Sequence, residues 1–337
     1  MDVVYPGDDD YDPDPGEYPV RSLPFPMYEG FRLGIPSIPD AVGGVDLVHA
    51  HTPFAVGLGG VRLARRDELP LVASYHTPTA EYAAYLTSRP RVERRIERLA
   101  ARYERWFLSR ADAVVCPSEE TEARVRRTVD VDTPTVVVPN GVDTEFFAPG
   151  DATGFRERYD LPDRPLIGYT GRHGYEKNLP EFLRAAVGVD ATVVIGGDGP
   201  AREDLEALAA DLGLDARFLG FLPRTDLPEF YTALDAFVFP SPVETQGLVA
   251  LEATACGTPV VGVDAGALSN TVDDGVTGYH YTHGDVEGCR DAIRRVLDER
   301  TPLSASCLDH RDAVSVEHAV EQLASLYDRV LDERVSA

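Results

Sequence analysis

Two glutamates, Glu244 and Glu252, stand eight residues apart in SPVETQGLVALEATACGTPVV (Ser241–Val261). Between them lie a Gly-containing turn and the start of an apolar helical run. At such a helix start the N–H groups of Gln246, Gly247 and Leu248 have no intrahelical partner and point beyond the helix end. That geometry, with the helix dipole, suits a diphosphate. A second stretch, YTGRHGYEKN (Tyr169–Asn178), follows a strand-like run and supplies two cations, Arg172 and Lys177, at a tight turn. A carboxylate on the first turns of the helix, Glu252, tolerates a neighbouring diphosphate only if neutral hydroxyls hold it, and a ribose supplies those. Glu244 lies before the turn and can reach the other end of the ligand, where a sugar would sit. The plainer alternatives are two helix-flanking acids in an acidic protein and two exposed loop cations. Spacing alone does not choose for the acids. For the cations, Lys177 is the only lysine in the chain, which favours function.

Elements able to position these residues are legible along the chain. Short Val-rich runs read as buried parallel strands: VDLVHAH, LPLVASYH, ADAVVCPS, PTVVVPN, PLIGYTG, ATVVIGG, DAFVFPS and TPVVGVD. Helical patterns lie between many of them, at Arg91–Ser109, Leu179–Val187, Ala201–Leu212 and Leu248–Ala255. The alternation predicts an α/β protein with doubly wound sheets. At 337 residues the chain has the length of two domains. The expected division is 1–143, 144–316 and a C-terminal helix over 317–337 packing back toward the first domain, with the turn-rich Pro139–Gly154 as the joint.

Composition narrows the partners. The net charge is −25, with 57 acids against 32 basic residues. Lysine loss together with acid excess predicts adaptation to a salty cytosol, where at about 1 M salt the Debye length falls to roughly 3 Å. So acidic a chain is a poor binder of nucleic acid. The acidic runs Asp8–Asp14 and Asp130–Asp132 read as solvated loops, and no metal site is expected. Cys116, Cys256, Cys289 and Cys307 have no metal or disulfide spacing and are expected as free thiols. No signal peptide or membrane-span pattern is present, so the expected location is the cytoplasm, at the inner face of the cell membrane if it docks there. Against the overall charge, Arg89–Arg110 carries eight arginines and three glutamates. On a helix, Val92, Ile96, Leu99, Tyr103, Trp106 and Phe107 form one apolar face. Either this face packs on a core, or an arginine ridge including Arg94, Arg98 and Arg105 faces an anionic membrane.

Taken together, DLVHAHTP, SYHTPTAEY, ADAVVCPS, VVVPNGVDTEFFAP, GYTGRHGYEKN, IGGDGPARE, FLGFLP and FPSPVETQGLVALEATACGTPVV resemble the retaining glycosyltransferases of family four (glycosyl transferases group 1). The resemblance runs over nearly the whole chain in the family's order. It implies a GT-B fold, two Rossmann-like domains facing across a cleft, and a metal-independent hexosyltransferase without cofactor. It implies that Arg172 and Lys177 bind the donor diphosphate, and that the amides of Gly247 and Leu248 hold the phosphates. Glu252 would bind the ribose, Glu244 the donor sugar, and His76 would face the reaction centre. The donor would be a UDP-sugar or a GDP-sugar. The family's retaining mechanism is described as front-face attack, in which the leaving diphosphate helps deprotonate the acceptor. SYHTPTAEYAAYL is similar to the acceptor loop of enzymes that glycosylate diacylglycerol-type lipids, which puts Tyr75, Thr77 and Tyr82 on the acceptor side. With the arginine ridge this points to a membrane lipid acceptor, a glycan being the other candidate.

One departure concerns the start. Relatives open with a strand, a glycine-rich loop and a helix before anything like VVYPG, whereas this chain opens at MDVVYPG. The expectation is an incomplete first domain lacking a βα unit of roughly 30 residues. Either the start codon lies upstream or this form is an inactive nucleotide-sugar-binding remnant. A sugar-nucleotide epimerase on the same architecture is a further alternative. A pyridoxal-phosphate phosphorylase is disfavoured, because its Schiff-base lysine would have to be the one lysine already placed in the phosphate motif.

Overall fold

The computed structural model describes residues 1–8, 11–24, 32–76 and 90–335. It divides into two compact units. The first comprises Met1–Pro117, Thr121–Val138 and Gln322–Ala337; the second comprises Ser118–Glu120 and Pro139–Glu321. A final helix, Val316–Val335, begins in the second unit and belongs to the first from Gln322 onward.

In the first unit, β1 (Val3–Pro6) pairs in parallel with β2 (Glu17–Val20), and β3 (Ser22–Pro24) pairs antiparallel with β4 (Arg32–Gly34). Neither pair follows from the Val-rich pattern, because all four strands are short and only Val20 and Gly34 among their residues are buried. The main sheet has four parallel strands: β5 (Val48–Ala50), β6 (Leu71–Ser74), β7 (Ala113–Cys116) and β8 (Thr135–Val137), adjacent in that order. Alternation along them feeds two cores. Ala50, Leu71, Ala73, Tyr75, Val114 and Cys116 pack with Val61 and Ala64 of α1 (Ala55–Arg66) and with Phe107 and Leu108 of α2 (Pro90–Leu108). Val72, Ala113, Val115 and Val138 pack with Leu326 and Val330 of the final helix.

The arginine-rich helix α2 departs from the single apolar face expected of it. Phe107 and Leu108 are buried, as is Glu104, which accepts a hydrogen bond from the Tyr75 hydroxyl at 3.2 Å. Val92, Leu99 and Trp106, seven residues apart, are exposed by 42%, 60% and 42%. The helix is therefore rotated so that only one edge of the apolar arc meets the sheet.

In the second unit, β9 (Leu166–Thr170), β10 (Thr192–Gly196), β11 (Ala216–Gly220), β12 (Ala236–Phe239), β13 (Val260–Val263) and β14 (Gly278–Tyr281) form one parallel sheet. Their spatial order is β11-β10-β9-β12-β13-β14. Counted from β9 this is 3-2-1-4-5-6, the doubly wound order whose direction of winding reverses between its first and fourth strands. The core is continuous, with Ile167, Val194, Phe237, Val238 and Val261 wholly buried. Helix α3 (Leu179–Ala186) follows the loop after β9, and α4 (Leu248–Ala255) follows the loop after β12. Ligands of such sheets bind at the carboxyl ends of the strands, at the reversal point.

Candidate functional site

At that reversal point the loops after β9 and β12 meet. Lys177 Nζ donates to Glu244 Oε1 at 2.6 Å, and both side chains are mostly buried. Arg172 pairs with Glu176 Oε1 at 2.5 Å, four residues on. Each cation of the diphosphate motif is thus held by a carboxylate in the ligand-free protein. An anionic ligand can exchange with those carboxylates at little cost in desolvation, because the cations are already partly out of water.

Glycines let the loops approach this closely. A Cβ at Gly197 would lie 1.9 Å from the carbonyl oxygen of Gly171, and Gly197 has φ +100°. Beside them, buried His173 directs Nε2 to the Gly196 carbonyl at 3.1 Å, tying the Arg172 loop to the end of β10. Burial pushes its pKa down, so the ring is neutral and can donate from Nε2. This tie was not foreseen from the sequence; a histidine between Arg172 and Gly174 in a glycine-rich loop was its only signal.

Gly247 caps α4 in the left-handed region, at φ 80°. A Cβ there would meet Leu268 at 2.8 Å, so the position requires glycine on both counts. The first intrahelical bond runs from the Ala250 N–H to the Gly247 carbonyl at 2.9 Å. The N–H groups of Leu248 and Val249 precede it and face the helix end. Gln246, just before this cap, is tied by its side chain to a distant turn. Its side chain accepts from the Asn140 N–H at 2.8 Å and donates to the Asn140 carbonyl at 2.9 Å. It is buried and clamps the PNG turn to the start of α4, beside the phosphate loop.

Glu252 accepts a hydrogen bond from the Tyr231 hydroxyl at 2.6 Å. Burial raises its pKa, against the Tyr231 hydrogen bond and the Arg224 charge, which both lower it. Tyr231 is itself fully buried, so the carboxylate is oriented from below by a side chain that cannot move away. Glu244 and Glu252 therefore have different partners: a cation for one, a phenol for the other.

In the first unit, His76 lies just past β6 and His51 just past the neighbouring β5. His51 Nδ1 and His76 Nε2 are 3.2 Å apart. A small cavity of about 30 Å³ beside them is lined by His51, Thr52, Ser74, Tyr75, His76 and Glu104, among others. Tyr75 corrects an expectation. It follows the inward alternation of Leu71 and Ala73, is 5% exposed and gives its hydroxyl to Glu104, so it belongs to the core rather than to an acceptor surface. Thr77 and Tyr82 lie outside the described residues.

The arginine ridge is corrected in part. Arg105 donates to the Val129 carbonyl at 2.7 Å and to Asp130 at 2.5 Å, tying α2 to the turn before β8. Arg98 donates to the Arg94 carbonyl at 3.0 Å. Arg95 and Arg102, the other arginines of that ridge, are exposed and border the Val92–Leu99–Trp106 stripe at helical spacing.

Among the described residues no group of three His, Cys, Asp or Glu side chains could hold a metal ion, and no helix is long and apolar enough to cross a membrane. All four cysteines are free and buried, and burial pushes each thiol up to about 12.

Comparison with known proteins fits this geometry. The glycosyl transferases group 1 family model matches residues 151–310, and the glycosyltransferase family 4 model matches residues 1–146. The 2-deoxystreptamine glucosyltransferase of Streptomyces kanamyceticus is 32% identical over 311 residues, 85% of this chain and 78% of that protein. The D-inositol 3-phosphate glycosyltransferase of Geodermatophilus obscurus is 36% identical over 319 residues, covering 88% and 69%. Among solved structures, the sucrose-phosphate synthase of Thermosynechococcus elongatus matches with TM-score 0.73 and 26% identity, over 87% of this chain and 75% of that one. Anabaena HepE in complex with UDP matches with TM-score 0.69 and 21% identity, over 84% and 79%.

Proposed function

The chain belongs to the glycosyl transferases group 1 family and is a hexosyltransferase of GT-B fold, and from that premise we propose that it moves a hexose, with retention, from a UDP-sugar to a hydroxyl of a membrane lipid. The observation that carries the donor half is the meeting of Lys177, Arg172 and the Gly247 helix start where the sheet reverses its winding. Arg172, Lys177 and the Leu248 amide would neutralise the diphosphate as it leaves and takes up charge. Glu252, held by Tyr231, would receive the ribose hydroxyls. Glu244 would contact the hexose once the diphosphate has taken its place on Lys177. The leaving phosphate would then accept the proton of the attacking hydroxyl on the same face of the sugar. His76 would stand at this reaction centre, and the two cations would do the charge stabilisation without a metal. A UDP complex of a protein with the same fold supports the choice of base.

A donor screen tests this reading. With UDP-glucose, UDP-galactose and GDP-mannose, offered at about 1 M KCl to suit the acidic surface, product formation is expected with a UDP-sugar. Transfer from GDP-mannose alone would overturn the choice of base.

For the acceptor, the exposed apolar stripe of α2 supports a lipid. Val92, Leu99 and Trp106 sit between arginines, with the Tyr103 ring on Trp106 at 5.7 Å and the Arg110 guanidinium 3.8 Å over its centroid. An apolar stripe bordered by cations suits the boundary between headgroups and acyl chains. At high ionic strength the apolar part carries most of the binding. Replacing Leu99 and Trp106 by glutamate should therefore cut sedimentation with anionic phospholipid vesicles by about tenfold, at low and at high salt, while the buried Phe107 and Leu108 keep the helix docked. Unchanged sedimentation would remove the membrane from this reading. The second reading is a soluble cyclitol acceptor, favoured by the names of the two relatives above. Transfer to inositol phosphate but not to diacylglycerol vesicles would select it.

A further inference from the structure

We propose that His51 is a positioning residue for His76: it holds Nε2 of His76, so that Nδ1 is the ring nitrogen presented to the reacting molecules. The inference rests on the placement of His76 at the reaction centre given above.

Neighbouring parallel strands bring the two together. Register pairs Ala50 with Ala73, so the chains leave β5 and β6 at the same edge. His49 and His51, two residues apart, lie on one side of their strand. His49 has both nitrogens engaged, Nδ1 with the Tyr327 hydroxyl at 2.6 Å and Nε2 with Ser74 Oγ at 2.8 Å. Its ring lies against that of His51, centroids 4.0 Å apart and tilted by 31°, and so limits how the His51 ring can turn. The His51 and His76 rings are parallel within 4°, and their nitrogens are 3.2 Å apart. At that distance one nitrogen must carry a proton and the other a lone pair. The tautomers of the two residues are therefore coupled. With the proton on His51 Nδ1, His76 accepts at Nε2 and keeps its own proton on Nδ1, ready to donate to a sugar or acceptor oxygen. With the proton on His76 Nε2, its Nδ1 becomes an acceptor.

The surroundings keep the cluster uncharged. Burial, with His51 as the lesser cause, pushes His76 down to about 4. Burial first, then the neighbouring histidines, pushes His49 down to about 3. The other titratable groups on this side are Tyr327 on the final helix, Tyr75 at the end of β6 and Glu104 on α2.

Two substitutions separate the nitrogen from the ring. His51→Phe keeps the aromatic stack and removes Nδ1. His51→Asn keeps a hydrogen-bonding atom near the Nδ1 position. The readouts are the ¹⁵N shifts of the His76 ring in the full chain and the turnover of UDP-glucose. In His51→Phe the His76 shifts should change tautomer balance, and kcat should fall by about tenfold or more with the donor KM unchanged. His51→Asn should recover most of both. The spectrum reads the pair without turnover: His76 shifts identical to wild type in folded His51→Phe would overturn the inference. His76→Ala separates the premise from it. Full turnover by His76→Ala removes His76 from the reaction centre. An inactive His76→Ala beside a fully active His51→Phe removes only the positioning role.

Discussion

Lys177→Ala should weaken UDP binding by about 10- to 150-fold, the loss of a charge-assisted hydrogen bond worth about 1.5–3 kcal/mol. The ammonium now held by Glu244 at 2.6 Å is the group that the diphosphate would take over. Binding therefore exchanges one anion for another on a cation already drawn from water. The same exchange sets a second expectation. Glu244→Gln removes the competitor for Lys177, so bare UDP should bind as well as to wild type or more tightly, while turnover falls because the hexose loses its contact. Calorimetric titration of both variants with UDP at about 1 M KCl reads the two effects apart. An affinity unchanged in Lys177→Ala would end the assignment of the phosphate site. Glu244→Gln losing UDP as severely as Lys177→Ala would show that Glu244 serves the nucleotide and not the sugar.

Glu252→Gln should give a more stable protein that binds nucleotide about tenfold less tightly. Burial raises the pKa of Glu252 above its unfolded value. A group shifted in that direction contributes stability below the ordinary carboxylate range, and loses it as pH rises through the folded value. At neutral pH the ionised carboxylate is thus a cost to the ligand-free fold, relieved only in part by the Tyr231 hydroxyl. The neutral amide avoids that cost and keeps an oxygen for Tyr231. It is a poorer acceptor for two ribose hydroxyls. The difference in Tm between variant and wild type should be small near about pH 4 and widen toward about pH 7. A wild type more stable than Glu252→Gln at neutral pH would mean that the carboxylate holds the fold rather than the ligand.

Much of the second unit was legible because its signals are local. Glycines and prolines bound Val-rich runs that bury both faces, so β9, β10, β12 and β13 could be read directly. The turn at Gly247 and the helix Leu248–Ala255 follow from adjacent residues. The edge strands β11 (ARFLG) and β14 (GYHY) escaped, because a strand paired on one side only is less apolar and lacks the run. Helix α2 was legible as a helix but not in its orientation. Periodicity marks an apolar arc, and it cannot say which part of the arc a sheet will cover. Arg105 read as part of a ridge until the turn at Val129–Asp130 came against it.

The sequence by itself therefore determined the central strands and the helices that follow them, the family and the residue types available for chemistry, because propensity, turn residues and motif spacing act over a few positions. Which loops meet was decided only by tertiary structure. Lys177 and Glu244 are 67 residues apart, and they touch because β12 pairs with β9 rather than with β11, the strand that precedes it in sequence. Gln246 reaches Asn140, 106 residues away, across the same packing. His51 and His76 become partners because β5 lies beside β6. Strand adjacency is set by which apolar faces bury together over the whole sheet, a sum over distant contacts to which no single stretch of sequence holds the key.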